Sequence, residues 1–335
     1  MRSELIHKIF STPASQQDAL ILDVFLYQYE NNPVYKRFCD SINRKPAQVR
    51  TKEEIPFLPI RFFKTHVIKS GNFQEEEWFE SSGTTGTINS RHFVRSLDLY
   101  RESFTRCFNE FYGHASEWCI IGLLPSYLER QHSSLVVMVD ELIRQSAHPE
   151  SGFYLYDQEK LKETLLRLQA TRQKVLLFGV TFALLDFAEA YSFPLPAVTI
   201  METGGMKGRR EEITRAALHE RLATSFPGAA IHSEYGMTEL LSQAYCGDNG
   251  RFFCPDWMQI LLREEDDPLS LLPSPVNQPV FEGKAGVINI IDLANLDSCA
   301  FIATDDMGKR YANGGFEVLG RVDNSDIRGC SLLTV

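Results

Sequence analysis

Four stretches of the sequence gather residue types suited to a phosphorylated, ribose-bearing substrate. Residues 80–92, ESSGTTGTINSRH, crowd glycines and hydroxyls into one short segment. Successive backbone N–H groups of such a loop can converge on phosphate oxygens while the hydroxyls add donors. Ser81, Ser82, Gly83, Thr84, Thr85 and Gly86 are therefore candidates for wrapping a triphosphate. A Walker loop is excluded, because Asn89 stands where that motif requires lysine. Taken alone, a Ser/Thr/Gly run is more often a turn. The second stretch, HSEYGMTELLSQAY (232–245), offers the ring of Tyr235, the hydroxyl of Thr238 and the carboxylate of Glu239. The ring suits stacking on a base, and the carboxylate suits holding Mg²⁺ together with substrate phosphates. The third, FIATDDMGKRY (301–311), places Asp305 and Asp306 after a predicted strand, where a carboxylate can accept hydrogen bonds from ribose hydroxyls. The fourth, LGRVDNSDIRGCSLL (319–333), brings Arg321, Asp323 and Arg328 close together. By itself each of the last three also reads as a capping or solvated surface group.

The elements that must position these residues are legible in the hydrophobic pattern. Tyr100, Phe104, Cys107, Phe108 and Phe111 follow helical spacing, as do Leu161, Leu165 and Leu168 after a potential Asp157 cap. KVLLFGV and AVTIMET read as buried strands, RREEITRAALHERLATSF as a helix with Ile213, Ala217 and Leu222 turned inward, and AAIHSE as a third strand. Strands alternating with helices argue for an α/β domain with a largely parallel sheet, whose ligands bind at the carboxyl ends of the strands. GVINIID, AFIAT and GFEVLGRVD are strands separated by turns, which predicts a terminal β-rich subdomain.

Bulk properties narrow the function classes. A chain of 335 residues that is 44% hydrophobic is long and apolar enough for a sizeable core. Its most apolar run, VLLFGVTFALL, stops at Asp186 well short of the roughly 20 residues of a membrane span, and MRSELIHKIFS lacks a signal core. The formal net charge of −10 would repel a phosphate backbone, so nucleic acid is a poor partner. Seven cysteines, Cys39, Cys107, Cys119, Cys246, Cys254, Cys299 and Cys330, are scattered without CxxC pairs. They suggest neither a disulfide framework nor a zinc site, and a reducing cytoplasm fits best.

Order and separation make the four stretches specific together. They resemble the adenylate-forming superfamily of acyl-CoA synthetases, peptide-synthetase adenylation domains and luciferases. SSGTTG is similar to its phosphate loop, YGMTE to its adenine and Mg²⁺ motif, ATDDMG to its ribose motif, and GRVDNSDIRG to its hinge motif. IPFLPIRFFKTH and LLPSYLERQHSSLVVMV further resemble the phenylacetate-CoA ligase branch and, more closely, the acyl-protein synthetases of luminous bacteria, so the likeness covers nearly the whole chain. The resemblance implies the large N-terminal domain of adenylate-forming enzymes, an α/β fold with mostly parallel sheets and a terminal β-rich subdomain. It divides into a helical segment over 1–80, an adenylate-binding core over 81–280 and a β-rich part over 281–335. It implies ATP and Mg²⁺, a small carboxylic acid, fatty or aryl, as substrate, and an acyl-acceptor protein or CoA as partner. Residue by residue, Ser82, Thr84 and Thr85 would hold phosphates, Tyr235 and Gly236 would flank adenine, and Thr238 and Glu239 would serve phosphate and metal. Asp306 and Arg321 would hold the ribose, with Gly204 and Gly205 beside the adenine.

Two departures bear on mechanism. Thr87, Ile88 and Asn89 follow the phosphate loop in place of the family's Pro-Lys, so neutralising charge would come from Mg²⁺ or a base such as Arg91, with His92 an additional candidate. The mobile lysine-bearing C-terminal domain of most members is expected to be absent, since the sequence runs only 12 residues beyond Asp323. Cys330 offers a substitute acyl acceptor, because acyl-protein synthetases carry such a cysteine near their end. Arg328 nearby would favour the thiolate; the alternative is a small buried hydrophobe. An acyl-CoA ligase core completed by a separate C-terminal partner, and an adenylate-binding protein without turnover, are the competing readings.

Overall fold

The computed structural model describes residues 1–81, 88–124, 132–155, 157–204, 213–247 and 249–322. The chain forms two compact units interleaved in sequence: Met1–Phe104, Met237–Gln243 and Cys254–Glu317 make one, and Thr105–Gly236, Ala244–Phe253 and Val318–Val335 the other. One of the chain's passages between them falls at Gly236 and Met237, inside the YGMTE motif.

In the second unit, five strands run parallel in the order Gly152–Phe153, Cys119–Leu123, Val175–Val180, Val198–Thr203 and Ala230–Tyr235. Ala244–Cys246 and then Phe252–Phe253 extend the sheet antiparallel. Val175–Val180 and Val198–Thr203 are buried along their whole length, as strands covered on both faces must be. The Leu184 side chain packs so close against Gly179 that a Cβ there would lie 2.5 Å from it. The helix Gln158–Ala170 is capped by Asp157, which accepts from Lys160 N, and buries Leu161, Leu165 and Leu168 as its spacing predicts. The helix Arg215–Ser225 departs from its expected bounds. Thr214 caps it by accepting from Ala217 N, so Ile213 precedes it, and Leu218 with Leu222 forms the buried stripe in place of Ala217. A side-chain hydroxyl that satisfies an orphan backbone donor sets the start more firmly than the apolar period does.

In the first unit the sheet is antiparallel, with Met258–Arg263, Ala285–Asp292 and Phe301–Arg310 in that order and the short Leu58–Pro59 added parallel to the last. The antiparallel character of the late strands agrees with the β-rich expectation. Met258–Arg263 and the hairpin of Glu77–Glu80 with Arg91–Val94 are elements that the sequence pattern did not single out. The N-terminal helices are anchored by buried amides. Gln28 Nε2 donates to the carbonyls of Asn295 (2.9 Å) and Leu296 (3.0 Å), while its Oε1 accepts from Ala300 N (2.9 Å). Asn32 caps the helix Pro33–Ser41 with its oxygen and donates through Nδ2 to Ser298 O at 2.9 Å. Amides buried this way must be paired, which fixes the Asn295–Ala300 loop.

Candidate active site

The hairpin of Glu77–Glu80 and Arg91–Val94 presents the Ser/Thr/Gly loop. Its base is closed by a reciprocal pair: Ser81 N donates to Ser90 O (3.1 Å) and Ser90 N donates to Ser81 Oγ (2.8 Å). Ser81 is therefore a buried brace at the foot of the loop. Ser82, Gly83, Thr84, Thr85 and Gly86 lie outside the described residues. Arg91 is largely exposed, 3.7 Å from Glu80 and stacked over Trp78 at 5.1 Å.

His92 proves to be a strut rather than a site cation. Its Nδ1 lies 2.9 Å from Thr238 O and its Nε2 2.9 Å from Ser298 Oγ. A carbonyl only accepts, so Nδ1 carries the proton and Nε2 accepts from the serine hydroxyl. Burial lowers the imidazole to about 4, against the pull of the Thr238 carbonyl, so the ring is neutral at physiological pH. The backbone of the glycine-rich hairpin is thereby joined to the Thr238–Glu239 segment, 146 positions further along.

Glu239 is 1% exposed, and its Oε2 has no hydrogen-bond partner among the described residues. Its carbonyl accepts from Asn295 Nδ2 at 2.8 Å. The segment that follows is held by Asp292, which accepts from Leu241 N (2.9 Å), Ser242 N (3.1 Å), Ser242 Oγ (2.6 Å) and Ala294 N (3.2 Å). Burial pushes this carboxyl up to about 6 in spite of those four donors. Trp257 Nε1 reaches Ser242 Oγ at 3.0 Å. A hard carboxylate oxygen, buried and unmatched, fits a cation such as Mg²⁺, which binds through one or two carboxylates plus substrate phosphates rather than a protein cage. Among the described residues no cluster of three or more His, Cys, Asp or Glu side chains forms a metal site.

Asp306 is placed differently from its expectation. The strand does not end before it but runs through it, Phe301–Arg310, with an irregularity. Val287 pairs with Met307 and Asn289 with Ala303, so Thr304, Asp305 and Asp306 face Ile288 alone. Thr304 Oγ1 donates to Ile288 O (2.7 Å) and accepts from Asp306 N (3.1 Å). The buried guanidinium of Arg263 donates to Thr304 O (2.9 Å) and Asn289 Oδ1 (3.2 Å). Bulges of this kind re-aim side chains, and this one sets a buried Asp306 beside Asp305, which lies 3.5 Å from Arg61.

The second unit carries the remaining candidates. Tyr235 ends the strand Ala230–Tyr235 half-buried, and Gly236 after it is exposed. Gly204, with φ +69°, follows Val198–Thr203, and its carbonyl accepts from Thr181 Oγ1 at 3.0 Å; Gly205 lies outside the described residues. Glu234, hydrogen-bonded by the Thr203 hydroxyl, is pushed up to about 7 by burial and, more weakly, by Glu202. Arg321 closes the strand Phe316–Arg321. Asp323, Arg328 and Cys330 lie outside the described residues. Of the other cysteines, five are buried, and burial raises Cys39 to about 12 and Cys119 to about 11, far from thiolate chemistry.

A pocket of about 320 Å³ opens in the same unit between Phe111, Tyr112, His232, Tyr245 and Phe253, a size at the lower end of small-molecule sites. The apolar stretch LLFGVTFALL lies in the buried strand Val175–Val180 and the first half of the helix Thr181–Ala190, and contributes no lining residue to this pocket. No helix among the described residues is long and apolar enough to cross a membrane.

Comparison with known proteins adds the family context. A family model described as acyl-protein synthetase, LuxE, matches residues 12–334. The long-chain-fatty-acid–luciferin-component ligase of Aliivibrio fischeri is 23% identical over 343 residues, covering 94% of this chain and 87% of that protein. The protein of the same name from Vibrio harveyi is 21% identical over 340 residues, covering 93% and 85%. Among solved structures, ATP-bound MatB from Rhodopseudomonas palustris superposes with a TM-score of 0.52 at 16% identity, over 73% of this chain and 47% of that one. The O-succinylbenzoate coenzyme A synthetase of Bacillus subtilis, in complex with ATP and magnesium ion, gives a TM-score of 0.50 at 14% identity, over 75% and 52%. The chain thus spans about half the length of these two solved proteins, with which it shares the fold.

Proposed function

The chain belongs to the LuxE acyl-protein synthetase family, and on that premise we propose that it activates a fatty carboxylic acid with ATP to an acyl-adenylate and passes the acyl group to a thiol. The observation that carries this reading is Glu239: a carboxylate sealed inside the YGMTE motif with one oxygen unmatched is costly unless a cation completes it. Glu239 would hold Mg²⁺, which when bound supplies charge neutralisation to the triphosphate. The Ser82–Gly86 loop would wrap the phosphates, Tyr235 would flank the adenine, and Asp306 with Arg321 would bind the ribose hydroxyls. In the first step a carboxylate oxygen attacks the α-phosphorus and pyrophosphate leaves with the electron pair of the broken P–O bond. The work of the protein here is positioning and electrostatics rather than covalent chemistry. His92 and Asp292 contribute by fixing the backbone on either side of Glu239.

The apolar part of the acid is assigned to the aromatic pocket of Phe111, Tyr112, Tyr245 and Phe253. In the second step a thiolate attacks the acyl carbonyl and AMP leaves; Cys330 is the candidate acceptor. The likeness to the fatty-acid ligases of Aliivibrio fischeri and Vibrio harveyi, which covers most of both partners, supports a fatty rather than an aryl acid. Incubation with ATP, Mg²⁺ and a radiolabelled long-chain acid tests the proposal. A protein-bound label released by neutral hydroxylamine, and lost in Cys330→Ser while pyrophosphate release persists, is expected. Label retained in that variant would refute the acceptor, and no acid-dependent pyrophosphate release would refute the activation.

A further inference from the structure

Arg215 is out of place by the rules of its own helix. It is the first residue of Arg215–Ser225, where the helix dipole disfavours a cation, and the helix gains no capping from it, since Thr214 is the cap. Its side chain is committed elsewhere. The guanidinium lies 4.7 Å from the ring centroid of Phe252, and Nη2 donates to Gly250 O at 2.9 Å. Nη1 is buried and has no partner among the described residues. Leaving one donor unmatched is a cost that the placement must offset. Phe252 is itself buried, and its ring packs against Tyr235 with centroids 5.9 Å apart at 56°. Guanidinium, phenyl ring and tyrosine ring therefore form one continuous row of contacts that joins the start of a helix, an antiparallel strand and the end of the parallel strand Ala230–Tyr235.

We infer that Arg215 is a positioning residue for nucleotide binding, holding Phe252 against Tyr235 and so fixing the ring on which the base rests. The inference depends on the assignment of Tyr235 to the base made above. The bond from Nη2 to Gly250 O pins the turn that leads into Phe252, and the cation over the ring face keeps that ring in one orientation. With Phe252 fixed on one side, Tyr235 presents a pre-oriented face, and the base does not have to order the ring on binding.

Calorimetric titration of the full chain with ATP and, separately, with inorganic tripolyphosphate tests this without requiring turnover. Arg215→Met should weaken ATP binding by roughly five- to tenfold and leave tripolyphosphate binding unchanged, because the base alone meets the Tyr235 ring. Arg215→Lys, which retains a cation over Phe252 and one donor, should recover most of the loss. In a Tyr235→Ala background Arg215→Met should have no further effect. Equal weakening of ATP and tripolyphosphate would show a long-range charge effect and overturn the inference. An unchanged ATP affinity, or the same loss in both backgrounds, would overturn it too. Wild-type protein that binds ATP but exchanges no pyrophosphate would defeat the activation reading alone, whereas wild-type protein that does not bind ATP would defeat both.

Discussion

Replacing His92 with leucine should cost more stability at neutral pH than in mild acid. At about pH 7.5 the substitution strands the Thr238 carbonyl and the Ser298 hydroxyl, each 2.9 Å from a ring nitrogen in the wild type. Two lost bonds at about 1 kcal/mol each, together with the desolvation of the stranded groups, give a loss of about 2–4 kcal/mol. In acid the wild type weakens on its own account. His92 titrates at about 4 in the folded chain against 6.5 in the unfolded one, so the unfolded chain takes up the proton first as the pH falls. Stability from this group is complete above 6.5 and declines between 6.5 and 4 by about 1.4 kcal/mol per pH unit, which amounts to about 2 kcal/mol at pH 5. The variant has no ring to protonate there. The stability gap between wild type and His92→Leu, measured by urea unfolding followed by tryptophan fluorescence, should therefore narrow by about 2 kcal/mol between pH 7.5 and pH 5. Asp292 and Glu234 titrate in the same range but are present in both proteins, so the difference isolates His92. A gap of the same size at both pH values would refute the assignment of His92 as a buried neutral strut.

Asp292→Ala should destabilise by upwards of about 3 kcal/mol, because it strands three backbone donors and the Ser242 hydroxyl; urea unfolding reads this directly. Asp292→Asn should remove a component of stability that in the wild type is complete below 3.8 and fades as the pH rises through about 6. Glu239→Gln should leave the melting temperature unchanged or raised, since an unmatched buried carboxylate becomes neutral, while acid-dependent pyrophosphate exchange falls by about 10² or more. Gly247→Leu, whose Cβ would sit 3.6 Å from the His232 ring, should fill the aromatic pocket. It should raise KM for the acid about tenfold at unchanged KM for ATP, a loss of roughly two buried methylenes' worth of contact.

The parallel strands were legible because a strand buried on both faces, such as Val175–Val180, writes itself as an unbroken apolar run. Asp157 was legible as a cap because its role is local, three residues from the donor it satisfies. The groups that hold the site in shape were not. His92, Asp292 and Arg263 act on partners far away in sequence, and a lone polar residue at the end of an apolar strand carries no mark of the donors it will meet. Their nearest signal was an uneconomical one, a charge or imidazole set among Ile, Phe and Val. Asp306 was correctly located near a strand but wrongly placed beyond its end, because hydrogen bonds of Thr304 and Arg263 let the strand continue through an irregular step. The helix Arg215–Ser225 began later than its apolar period suggested because the Thr214 hydroxyl supplied the cap.

Acid-dependent ATP–pyrophosphate exchange is the most direct test of the account, because it reports the first half-reaction whatever the acyl acceptor. With Mg²⁺ and a series of fatty acids, wild-type protein should exchange label in a manner dependent on the acid, and Glu239→Gln, equally folded, should not. Exchange that proceeds at the wild-type rate in Glu239→Gln, or no exchange with any acid in folded wild-type protein, would contradict it.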